Sequence, residues 1–191
     1  MPVFTSPNFA PIARVGVDVE INWDLVRPPT AAPQRVVAIG KATVGAFRLF
    51  PGIHADYIAN LLLPPVQGVV LECFGSGNAP SDNRPLMNAL RTACDRGVVV
   101  VAVTQTLRGS ADLTHYATGR ALLDAGVTCG YDMTPEAALA KLYYLFESGH
   151  DPAEVRRLAQ QDLRGEVSAP AQEVPQSPSL RARGTQRYRG L

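Results

Sequence analysis

The sequence predicts an α/β fold, a small parallel sheet flanked by helices. Three observations predict it. Strand and helix patterns alternate between about residues 36 and 163, as βαβ crossovers require. The run Val98 to Val103 is five valines and one alanine, the mark of a strand buried on both faces. Several segments open on helix-capping residues and stop at glycine. Taken in order, Thr43 to Phe50 is a strand candidate. His54 to Leu63 is a short helix, stopped by Pro64-Pro65. Gly68 to Phe74, with Val69-Val70-Leu71, is a buried strand. Arg84 to Arg96 is a helix with Leu86, Met87, Leu90 and Cys94 on one side, ending at Gly97. After the valine strand, Tyr116 to Ala125 is a helix stopped by Gly126. Thr134-Pro135 opens the best helix: a capping hydroxyl, then a first-turn proline. Ala138, Leu139, Leu142, Leu145 and Phe146 follow at helical spacing. Asp151-Pro152-Ala153-Glu154 opens the last helix with a capping-box arrangement.

Two flanking segments differ from this block of about 36–165. Residues 1–35 carry Pro2, Pro7, Pro11, Pro28, Pro29 and Pro33 and read as an extended linker. Within it, the alternating run Val15 to Ile21 predicts a strand with one wet face, and Pro28 to Gln34 an extended connector. Residues 166–191 hold Arg181, Arg183, Arg187 and Arg189 against Glu166 and Glu173, a balance of +2. They are Pro-, Ser- and Gln-containing with few large aliphatics. So little apolar area cannot offset the entropy of ordering, which predicts a disordered Arg/Pro-rich tail.

Composition narrows the function classes. Of the 191 residues, 46% are hydrophobic and 18% charged, a globular balance. The formal charge of +1 gives no field that would steer nucleic acid or an anionic membrane to the protein. The longest apolar runs, Leu61 to Val66 and Val98 to Val103, are far below the roughly 20 residues that span a bilayer. The N-terminal residues lack a basic and then apolar leader pattern. Cys73, Cys94 and Cys129 are widely spaced and form no CxxC pair, so they read as core fillers in a reduced compartment. The expectation is a soluble cytoplasmic protein with no metal, no cofactor, no nucleic-acid partner and no membrane partner.

In parallel sheets, function sits in the loops leaving the carboxyl ends of strands. That selects two loops. Gly75-Ser76-Gly77-Asn78-Ala79-Pro80 follows the strand at 68–74. Its glycines allow positive φ and close approach of another group. Asn78 offers an amide with donors and an acceptor, suited to a carboxylate, an amino group or another amide. The same residues also suit a plain tight turn. Thr104-Gln105-Thr106 to Ser110 follows the valine strand. Its hydroxyls and amide could hold a small polar ligand or satisfy loop backbone. A threonine nucleophile needs a base beside it, and His115 is the nearest histidine in sequence. Asp132 to Glu136 resembles paired acids but fits a helix start better.

Several phrases then read together as one family. Ser6-Pro7-Asn8-Phe9-Ala10-Pro11, Phe50-Pro51-Gly52-Ile53 and Gly75 to Pro80 come first. Cys94 to Val100, Thr104-Gln105, Tyr116-Ala117-Thr118-Gly119 and Asp124 to Val127 follow. Asp132-Met133-Thr134, Glu136 to Leu142 and Asp162 to Glu166 complete the order. This ordered set, over residues 4–167, resembles the C-terminal half of bacterial cytoplasmic (type I) L-asparaginases.

The resemblance implies an asparaginase C-terminal domain fold, homodimer formation and a role in converting L-asparagine and water to L-aspartate and ammonia. It implies that the chemistry lies in an N-terminal domain, with its Thr-Gly-Gly nucleophile strand and a Thr-Asp and lysine set. No Thr-Gly-Gly and no Thr-Asp occurs in this chain. The expectation is therefore no catalytic residue here, and pairing with such a domain or with a second copy. Asn78, with Gly77 and Ser76, matches the family's G-x-G-N loop and is implied as substrate-binding. An effector pocket in some members maps onto Glu72, Thr104, Gln105 and Thr106. Members often have arginine at the position of Glu72 and cysteine at that of Thr106. A carboxylate at Glu72 would repel an effector carboxylate. The alternative class is a non-catalytic interaction or regulatory protein. A third reading is an independent hydrolase built on Thr104 to Ser110 and His115.

Overall fold

The computed structural model describes residues 6–29, 31, 33–114, 116–168 and 187–188. The chain divides into two compact units, residues 37–170 and a unit made of 1–36 with 171–191.

In the smaller unit, β1 (Ala13–Val15) and β2 (Val19–Ile21) form an antiparallel hairpin that turns at Gly16 to Asp18. The alternating run that predicts one strand is thus two short ones, because Gly16 and Asp18 favour a turn. The register puts Ala13, Val15, Val19 and Ile21 on one face and the opposite charges Arg14 and Glu20 on the other.

In the larger unit, β3 (Val44–Arg48), β4 (Gly68–Cys73), β5 (Val99–Thr104) and β6 (Thr128–Cys129) form a parallel sheet in sequential order. β6 lies where the sequence suggests loop; two residues carry no visible strand period. The helices are α1 (Ala55–Leu61), α2 (Arg84–Asp95), α3 (Ala117–Asp124), α4 (Pro135–Glu147) and α5 (Pro152–Ala159). β7 (Arg187–Tyr188) pairs with β2 in the smaller unit. It falls inside the stretch expected to be a disordered tail, most of which lies outside the described residues.

Sequential strand order with parallel pairing sends every crossover over one face. Helices α1 to α3 accordingly pack on the face made by Val69, Leu71, Cys73, Val100 and Ala102. Helices α4 and α5 cover the other, made by Val44, Val70, Val99, Val101 and Val103. The valine run therefore serves both cores, as its lack of polar alternation predicts. Caps set the helix starts. Asn83 accepts from Leu86 N–H at 3.1 Å, Thr134 from Ala137 N–H at 3.2 Å and Asp151 from Glu154 N–H at 2.9 Å.

Two carboxylates tie flanking chain to α4. Glu147 Oε1 accepts from the backbone N–H groups of Gly40, Lys41 and Ala42 at 2.9, 2.5 and 2.7 Å. These bonds hold its pKa below the ordinary range. Glu166 Oε1 lies 2.7 Å from Lys141 Nζ, whose side chain is 4% exposed. Lys141 also donates to the carbonyl of Gln161. Val167 is buried, and Ser168 N–H donates to Asp132 Oδ1 at 2.7 Å. Residues 166–168, expected in the tail, thus finish the packed unit. An acid partnered with a buried lysine is invisible to a composition count.

Among the described residues, no helix is long and apolar enough to cross a membrane.

Candidate functional site

The loop after β4 is both a tight turn and a presented amide. Phe74 and Asn78 form an isolated antiparallel bridge, with N–H to carbonyl bonds of 2.9 and 2.8 Å in the two directions. Gly77 N–H also donates to the Phe74 carbonyl at 3.1 Å. Gly77 has φ 108°, and a Cβ there would sit 3.0 Å from Leu113 Cδ2. The positive φ favours glycine here, and a Cβ would also crowd the buried Leu113 side chain. With its backbone closed on Phe74, Asn78 leaves the loop with a half-buried side chain. Its Oδ1 accepts from the Thr118 hydroxyl at 2.6 Å.

The segment from Ala111 to Thr114 is the hub of this region, and nothing in the sequence announces it. Ala111 N–H donates to the Tyr131 carbonyl at 2.8 Å, and Asp112 N–H to the Ser76 carbonyl at 3.0 Å. Cys129 Sγ donates to the Ala111 carbonyl at 2.8 Å. Leu113 is fully buried. The hub also supports α3. A Cβ on Gly119 would lie 2.8 Å from both Cα and O of Leu113. We expect Gly119→Ala to lower stability by about 2 kcal/mol, because backbone cannot yield as a side chain can. Denaturant titration measures the loss, and a variant as stable as the parent would contradict this packing.

The second loop braces the first. The Thr104 hydroxyl donates to the Gly75 carbonyl at 2.5 Å and sits 2.8 Å from the Thr106 hydroxyl. Thr106 in turn donates to the Arg108 carbonyl at 2.6 Å. Gln105 Nε2 donates to the carbonyls of Leu49 at 2.7 Å and Glu72 at 2.9 Å, joining the ends of β3 and β4. Glu72 Oε2 accepts from Arg48 Nε and Nη2 at 2.8 and 2.6 Å. Arg48 and Glu72 are register partners on neighbouring strands. The structure therefore brings Glu72, Thr104, Gln105 and Thr106 together beside the G-x-G-N loop. Glu72, the carboxylate expected to repel an effector carboxylate, is paired with Arg48.

The three cysteines are buried free thiols. Burial pushes the Cys73 thiol up to about 12, and raises Cys94 and Cys129 as well. A thiol held protonated is a poor nucleophile and a poor metal ligand. Among the described residues, no three His, Cys, Asp or Glu side chains gather as a metal site. His115, the histidine of the independent-hydrolase reading, lies outside the described residues.

The fold and these loops define a three-layer α/β domain that presents small polar groups at the carboxyl edge of a parallel sheet. The model of the glutaminase/asparaginase C-terminal domain family matches residues 43–158, and the chain belongs to that family. It is 44% identical to the mouse 60 kDa lysophospholipase over 173 residues, which cover 90% of this chain and 30% of that protein. It is 39% identical to Escherichia coli (strain K12) L-asparaginase 1, covering 86% of this chain and 48% of that one. The crystal structure of L-asparaginase I from Vibrio cholerae superposes with a TM-score of 0.81 at 44% identity, over 87% of this chain and 50% of that chain. The chain thus spans half or less of the length of these relatives.

Proposed function

We propose that this chain acts as the C-terminal domain of a cytoplasmic L-asparaginase, completing the substrate site of a catalytic domain through Asn78. The whole enzyme converts L-asparagine and water to L-aspartate and ammonia by way of an acyl-enzyme. The observation that carries this reading is the G-x-G-N loop. Its backbone is closed into a turn while the Asn78 amide stays half-exposed at the functional edge of the sheet. Ser76 and Gly77 shape that turn. Thr104, Gln105 and Thr106 bond to one another or to backbone and the Glu72 carboxylate is held by Arg48, which supports bracing rather than effector binding. Assembly follows from this role: the chain pairs with a catalytic domain and with a second copy.

The test is ammonia release from L-asparagine. We expect none from the purified 191-residue chain. Release is expected when the chain is combined with the remaining half of Vibrio cholerae L-asparaginase I. Release by the isolated chain, abolished by Thr104→Val or His115→Ala, would overturn the reading in favour of an independent hydrolase. A silent mixture, when the Vibrio cholerae protein's own second half restores activity, would overturn it in favour of a non-catalytic protein. A lysophospholipid substrate in parallel tests the chemistry in the name of the mouse relative.

A further inference from the structure

An asparagine that contacts substrate must be held the right way round. Its carboxamide has an acceptor end and a donor end of nearly equal size. Rotation about the terminal torsion exchanges them, and that torsion is broad and roughly two-fold. Only a partner decides which end faces outward.

At Asn78 the partner is Thr118, whose hydroxyl donates to Oδ1 at 2.6 Å. The Nδ2 end lies on the Gly75 side, 3.9 Å from where a Cβ on Gly75 would stand. No acceptor among the described residues takes its protons. Thr118 is itself fixed, in the first turn of α3 and directly before Gly119, which rests on the Leu113 backbone. The hydroxyl thus connects a rigid helix start, 40 residues away in sequence, to the amide of the loop.

We infer that Thr118 is a positioning residue that turns the Asn78 carboxamide so that its NH2 group faces the substrate. The inference rests on the reading of Asn78 as a substrate contact. It deepens that reading by naming the chemistry met: an outward donor takes an oxygen of a carboxylate or amide carbonyl, not an ammonium group. A freed amide would sample both orientations, and apparent affinity falls with the competent fraction.

The experiment compares Thr118→Val, which keeps the shape and removes the hydroxyl, with Thr118→Ser, which keeps the hydroxyl. Both are assayed with L-asparagine in the enzyme assembled as above. Thr118→Val is expected to raise KM about fivefold to tenfold while kcat stays within about twofold. Its Tm is expected to stay within about 2 °C of the parent, and Thr118→Ser to restore KM. In 15N spectra of the chain itself, the two Asn78 amide protons should give sharp, separate signals that broaden in Thr118→Val. An unchanged KM in Thr118→Val beside a raised KM in Asn78→Ala would overturn the positioning role. So would failure of serine to rescue, or identical amide signals in parent and valine variant. Asn78→Ala without effect would instead overturn the substrate-contact reading, and the orienting role in catalysis with it. The amide signals would then report separately on the Thr118 bond.

Discussion

Glu166→Ala is expected to destabilise the larger unit by about 3 kcal/mol, because it leaves the Lys141 ammonium buried without its counter-charge. With a urea m-value of about 2 kcal/mol/M, the midpoint would fall by about 1.5 M. The loss should exceed that of a surface pair such as Arg157 with Glu154, worth at most about 1 kcal/mol. Replacing both partners together, as Lys141→Met with Glu166→Leu, should recover most of the stability, since no charge is then stranded. A small effect of Glu166→Ala alone would mean that water reaches Lys141. The pH dependence has a definite sign. Burial raises the Glu166 pKa, but the bonds from Lys141 and from backbone N–H groups outweigh it, and the pKa is lowered from its ordinary value. A carboxylate with a lowered folded pKa contributes stability above its unfolded pKa and loses it as pH falls through the folded one. Acid titration below about pH 4.5 should therefore cost the parent stability that Glu166→Gln no longer has to lose.

Asn78→Ala is expected to lower kcat/KM for L-asparagine by roughly tenfold to a hundredfold in the assembled enzyme, the range of a hydrogen bond to a charged group. Tm should stay within about 2 °C, because the two backbone bonds between residues 74 and 78 do not involve the side chain. The Thr118 hydroxyl loses its acceptor, but its half-exposed position lets water replace it. An unchanged kcat/KM would remove Asn78 from the substrate site. A large fall in Tm would make the residue a part of the scaffold instead.

Asn78 and the Lys141–Glu166 pair differ in how far the sequence announces them. The helices, the buried strands and their faces are readable because periodicity, caps and glycine stops are local. Val98 to Val103 announces burial on both faces through its own composition, and both cores do take their share of it. The candidate amide at Asn78 is readable as well, from a glycine-rich loop at the end of a buried strand and from the ordered phrases around it.

Local pattern carries the α/β class, the order of its elements and the edge on which polar loops gather. What those polar groups hold is set by contacts between distant parts of the chain. Arg48 meets Glu72 because β3 and β4 are in register, and Lys141 meets Glu166 because the chain returns to α4 after α5. Thr118 meets Asn78 because the crossover through α3 brings that helix start back to the loop after β4. The residues from Ala111 to Leu113, which join the loop after β4 to the segment around β6, have no motif at all. Pairings across such separations depend on register and packing, which no local pattern encodes. A hydroxyl or carboxylate reads the same in sequence whether it faces water, backbone or another side chain.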